Sequence, residues 1–171
     1  MSEWERYLKA QAPLKPVEPN AKLTIKQLAD IRLWKNYRRV LKEGEAINDQ
    51  SSSESLHELR KSCKKLRYLM EFFQSLYQEN QINLFIKNLK GLQETLGDFQ
   101  DLAVQENALK QFCEEMLSNN IQANTILAMG VLIQNLDTLR NNARKDFSSK
   151  FATFKHEENQ SEFKSLLASK D

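Results

Sequence analysis

Along residues 56–77, Leu56, Leu59, Cys63, Leu66, Met70, Phe73 and Tyr77 recur at the three- and four-residue spacing of one helix face. The same spacing predicts three more long helices. One covers residues 22–43, with Leu23, Ile31, Trp34 and Leu41 inward and Gly44 placed to cap its C-terminus. Another covers 82–117, with Leu89, Leu92, Leu96, Phe99 and Ala103 inward. A last one covers 121–154, with Ala128, Leu132, Leu136, Leu139, Ala143 and Phe147 inward, and Phe147, Phe151 and Phe154 read as core. Ser55 with Glu58 three positions later has the form of a capping box at the start of the second helix. The connections are short: 48–53 is polar, 78–81 is a tight turn, and Ser118-Asn119-Asn120 breaks the third pattern from the fourth. Short links between long helices make neighbours antiparallel, so the expected fold is all-α, an up-and-down four-helix bundle.

The three prolines, Pro13, Pro16 and Pro19, set residues 1–20 apart as a short helix followed by an extended linker. The bundle is expected over 21–156 and a tail over 157–171, where Phe163, Leu166 and Leu167 allow a short amphipathic helix, with fraying as the alternative. At 171 residues the chain suits one core. No apolar run approaches the roughly 20 residues that cross a bilayer, and residues 1–6 have no basic stretch leading into an apolar one. Cys63 and Cys113 sit at apolar helical positions and imply no disulfide, so a cytoplasmic, reducing setting and no membrane partner are expected.

The net charge of +2 hides an uneven distribution. Residues 22–67 hold twelve lysines and arginines against six acids. On the second helix, His57, Arg60, Lys61, Lys64, Arg67 and Tyr68 cluster away from the apolar stripe. On the first, Arg32, Lys35, Arg39 and Lys42 follow i, i+3, i+7, i+10. Like charges at such spacings repel by a few tenths of a kcal/mol per pair, so something outside each helix is expected to compensate them. Two such stripes flanking one groove would form an electropositive trough for a linear polyanion. The alternative is that both are solvated faces.

The run His57-x-x-Arg60-x-x-x-Lys64-Lys65-Leu66-Arg67-Tyr68-Leu69-x-Glu71-Phe72-Phe73 resembles the signature helix of the CHAD family, the conserved-histidine α-helical domains. Residues 89–101, with Leu92-Gln93 and Leu96-Gly97-Asp98 leading to Asp101, resemble its second signature. Members are all-helical, usually two four-helix bundles enclosing a basic groove, and bind inorganic polyphosphate. The resemblance implies anion-binding roles for His57, Arg60, Lys64, Arg67 and Tyr68, with Lys61 and Lys65 beside them. Arg32, Lys35 and Arg39 match by placement only, and Arg140 and Arg144 lie in a region often rich in arginine. A single signature of the Lys-Leu-Arg-Tyr type resembles the C-terminal half of a full domain. That implies a fragment, a reduced member, or a chain that rebuilds the missing half with a second copy.

The expected function is non-enzymatic binding of inorganic polyphosphate or a similar polyanion. Arg60, Arg67 and Arg32 would grip oxygens through forked donors, Lys64 and Lys35 would act as point charges, and His57 and Tyr68 would donate hydrogen bonds. The alternative is a protein-interaction or dimerisation module whose basic stripes meet an acidic partner. Nucleic acid is disfavoured, since no recognition helix or aromatic platform is legible. No nucleophile motif, phosphate loop or dinucleotide fingerprint is present, and no cofactor is called for. His57, Cys63, Cys113 and His156 lack zinc-ligand spacing. Glu94, Asp98 and Asp101 are expected to pair with cations of a neighbouring helix in preference to holding Mg²⁺, and Gly97 to permit close helix approach.

Overall fold

The computed structural model of the protein describes residues 20–117 and 122–168. All but the last residue of the predicted N-terminal segment, 1–20, therefore lies outside the described residues. Five helices follow in order: α1 (Ile25–Glu45), α2 (Ser53–Phe73), α3 (Glu79–Leu117), α4 (Ala123–Phe154) and α5 (Glu157–Ala168), with a 3₁₀ turn at Gln74–Leu76. The described residues contain no strand. The fold is the expected all-α bundle, in which α1 packs on α2, α2 on α3 and α3 on α4.

The bundle closes through α4 and α5. Gly44 is buried inside α1, and the Phe151 ring occupies the place where any side chain at Gly44 would stand. Gly44 therefore does not cap the helix; α1 runs past it to Glu45 because the glycine is there for a helix contact. Tyr37 stacks on Phe163 of α5 with ring centroids 4.0 Å apart, and Phe154 lies 5.5 Å from Tyr37. Phe163 and Leu166 belong to the same core as Leu33, Leu59, Leu66 and Leu89. Residues 157–168 of the tail thus form a fifth packed helix. A polar knot fixes it at one end of the bundle. Asp30 accepts from the Tyr77 hydroxyl (2.7 Å) and from Lys26 (2.8 Å), and Lys26 also donates to the carbonyl of Leu167 (3.0 Å).

Closure also sets the rotation of α1. Its core face is Ala29, Leu33, Tyr37, Val40 and Leu41, about 90° around from the predicted face. Leu23 and Ile31 are exposed as a result, and Trp34 is only half-buried. The caps differ as well. Thr24 opens α1 with a full capping box to Gln27. Ser52 caps α2 by accepting from the amide of Ser55, while Glu58 pairs with Lys61 at 2.6 Å.

On α4 the predicted face is buried at Ala143 and Phe147 but open at Ala128, Leu132 and Leu139. The reason is length. Helices α1 and α2 have 21 residues each, against 39 in α3 and 32 in α4. Beyond Phe99 the α3–α4 hairpin outruns the helices that would cover it.

Replacing Gly44 by Ala is expected to destabilise the fold by about 1–3 kcal/mol through overpacking against Phe151. Gly91, whose missing Cβ would meet nothing, should gain up to about 1 kcal/mol from the same change; denaturant midpoints check both. Burial pushes the Cys63 thiol from 9.0 up to about 12 and the Tyr37 phenol from 10.0 up to about 12. Each folded value lies above its unfolded one, so this stabilisation is whole below pH 9 and is lost as pH rises toward 12. Denaturation midpoints across that range should fall, and Cys63 should resist thiol reagents until the chain unfolds.

Candidate functional site

Because α1 turns Leu33, Tyr37 and Val40 inward, its Arg32, Lys35, Arg39 and Lys42 stripe faces outward beside α2. There it lines a cleft of about 870 Å³. Arg38 joins from α1 and Lys65 from α2. The remaining lining is Asn36 and an apolar floor that includes Ile31, Trp34, Leu69 and Phe73. No acidic residue lines it. Arg39 is paired with Glu43 at 2.6 Å, which raises its pKa chiefly through that hydrogen bond. Arg32, Lys35, Arg38, Lys42 and Lys65 have no carboxylate partner among the described residues.

His57, Arg60, Lys64, Arg67 and Tyr68 do not line this cleft. Lys65 is about 140° around α2 from Arg60, and of the two only Lys65 lines the cleft. Arg60 instead lies across α3, its guanidinium 3.5–3.9 Å from where a Cβ on Gly97 would sit. That spacing is ordinary van der Waals contact, so Gly97 leaves room for Arg60 without being forced by it. Arg67 reaches Glu71 at 3.4 Å, and the Tyr68 ring takes Arg67 at 4.8 Å and Lys64 at 5.6 Å as cation–π partners. The Nδ1 of His57 is buried with no partner. Lys61 is tied to Glu58 at the surface. The single trough expected from the stripes is therefore divided into two basic surfaces on opposite flanks of α2. By helical step, Lys64, Tyr68, Lys61 and Lys65 continue around the exposed back of α2 and join one surface to the other.

The remaining candidates are structural. Arg140 forms a buried ion pair with Glu106 (2.5 Å) and also bonds Asp137 (2.6 Å). Arg144 donates to the carbonyls of Asn48 (2.6 Å) and Ser51 (2.8 Å) and lies over the Phe99 ring. Burial is the main reason its pKa is lowered. Leu89, Leu92, Leu96 and Phe99 of the second signature are core. Glu94, Asp98 and Asp101 are exposed and, contrary to expectation, have no ion pair among the described residues. No cluster of metal-ligating side chains occurs there either. Arg38 was missed by sequence reasoning; it sits at the edge of the Arg32–Lys35–Arg39 arc, about 60° from Lys35.

A closed helical bundle with uncompensated cations on both flanks of one helix describes the class of protein. The CHAD domain matches residues 1–110, well over half the chain, and the protein belongs to the CHAD family. No curated protein matches it. No helix among the described residues is long and apolar enough to cross a membrane.

Arg144 is expected to act on stability, through the α1–α2 connection. Arg144→Ala should cost about 1–3 kcal/mol, the scale of hydrogen bonds to a charged group. Arg144→Lys should recover little, since one ammonium lacks the fork that reaches two carbonyls; thermal unfolding checks both.

Proposed function

We propose that the protein binds inorganic polyphosphate, or a similarly phosphate-rich polyanion, as a non-enzymatic module with a cytoplasmic setting. The polyanion would lie in the α1–α2 cleft and continue over the back of α2. One observation carries this reading: six cations border the cleft and no carboxylate does. Their mutual repulsion is a standing cost to the free protein that a line of phosphates relieves, with counterion release adding to the affinity. Arg32 and Arg38 offer forked donors, and Lys35, Lys42 and Lys65 offer point charges. Arg60 and Lys64, which have no carboxylate partner among the described residues, extend the track on the far flank. Family membership supports the same ligand class.

A second reading has its own support. The cleft floor is largely apolar, with Ile31, Trp34, Leu69 and Phe73, and a bare phosphate chain has nothing apolar to set against it. An acidic amphipathic helix would use both floor and walls.

Binding of long-chain polyphosphate should weaken steeply with salt. The variant carrying Arg32→Ala, Lys35→Ala and Lys42→Ala should lose most of it, and its slope of log affinity against log salt should fall by about 0.7 per lost contact. Arg60→Ala with Lys64→Ala should lose less. The reverse ranking moves the site to the far flank of α2. Salt-insensitive binding, or no binding by the intact chain, removes the polyanion reading and leaves the acidic-partner one.

A further inference from the structure

Phe72 is 78% exposed, the highest value among the large hydrophobic side chains described. Tyr68, one turn before it on α2, is 49% exposed. Both rings stand among cations. Lys61, Lys64, Lys65, Tyr68 and Phe72 are all exposed and fall within an arc of about 100° on the outer side of α2. They form a ridge about 16 Å long at 1.5 Å per residue. Lys64 and Arg67 lie over the Tyr68 ring at 5.6 and 4.8 Å. Phe73 packs against Phe72 at a ring-centroid distance of 4.8 Å with 86° between the planes. Lys61 is held by Glu58, but Lys64 and Lys65 have no carboxylate partner among the described residues. The one acid in residues 61–72, Glu71, is turned to Arg67 and Lys90. The ridge that joins the two basic surfaces thus carries aromatic rings, which a bare phosphate chain cannot use.

We infer that this ridge binds single-stranded nucleic acid, with bases stacked on Phe72 and Tyr68 and phosphates on Lys61, Lys64 and Lys65. The inference rests on the polyanion reading of α2 and names a second ligand for that surface. Every base has a π-face, so aromatic side chains interleaved with cations hold a strand without reading its sequence. Rings one helical turn apart, about 6 Å, meet successive bases of an extended strand. On Tyr68 a base takes the place of one of the two cations, which is released to the neighbouring phosphate. A duplex keeps its bases in the stack and offers only their edges in its grooves. A lipid surface fits less well, because it takes a broad apolar helix face and these two rings are set among lysines. The sequence pattern disfavoured nucleic acid for want of an aromatic platform. The fold supplies one, since exposure and not spacing marks these rings.

Binding of the full chain to a labelled oligothymidylate of about 20 nucleotides, longer than one site, tests it. Long-chain polyphosphate and a duplex of equal length are measured beside it at matched salt. The single strand should bind more tightly than the duplex, although the duplex carries the denser charge. Phe72→Ala should weaken the single strand by about 5–150-fold, the range for losing one stacked base. It should leave polyphosphate binding unchanged. Phe72→Tyr should keep the strand, while Phe72→Leu, apolar but without a π-face, should lose it as Ala does. A strand held no more tightly than the duplex, or one indifferent to Phe72→Ala, overturns the inference and leaves polyphosphate binding standing. Full strand binding by Phe72→Leu, or an equal loss of strand and polyphosphate in Phe72→Ala, overturns it too, since neither needs a base on a ring. When neither the strand nor polyphosphate is held, the polyanion reading falls and the inference with it.

Discussion

The contact between Gly44 and the Phe151 ring governs the rest of the molecule. It lets the Phe151 ring of α4 lie against the α1 backbone, where any side chain would hold it away. On the same core face of α1, Tyr37 stacks on Phe163 and brings α5 into the core. The rotation that buries this face carries Ile31 and Trp34 out to the cleft floor and Arg32, Lys35 and Lys42 out to its walls. A larger residue at position 44 would turn or lift α1, and the cleft would change with it.

Among the described residues, two groups of cations stand in contrasting surroundings. Arg140 and Arg144 are committed to internal acceptors, a carboxylate pair in one case and two loop carbonyls in the other. Buried charge of that kind is tolerated only where such partners exist. The cleft cations are exposed, and no carboxylate lines the cleft with them. Arg39, with Glu43 beside it, is the partial exception.

The mismatch in helix length shapes the other end. Since α1 and α2 stop after 21 residues, the far half of the α3–α4 hairpin has two helices where the bundle has more. Glu106 and Arg140 hold its seam with an ion pair where the main bundle uses leucine and phenylalanine. A hairpin that stabilises itself in this way can leave its apolar side chains outside, and α4 does so.

Much was legible in the chain itself. Helical periodicity fixed the class of fold, because the apolar spacing of Leu59, Cys63, Leu66 and Met70 allows no other element, and those four residues are core. The two signature segments carried the family relationship. The concentration of cations on α1 and α2 was also a sequence property, since residues three and four apart must share a face. What periodicity could not give was the rotation of each helix about its axis or the helix against which a face would rest. Ile31 and Leu132 are apolar at core spacing and lie outside, the first because α1 is turned by Phe151 and Phe163, the second because no described helix reaches it. Arg32 and Arg60 were expected beside one groove and lie on opposite flanks of α2. The turn of α1 depends on contacts between residues a hundred or more positions apart, such as Gly44 with Phe151 and Tyr37 with Phe163, and no local pattern encodes it.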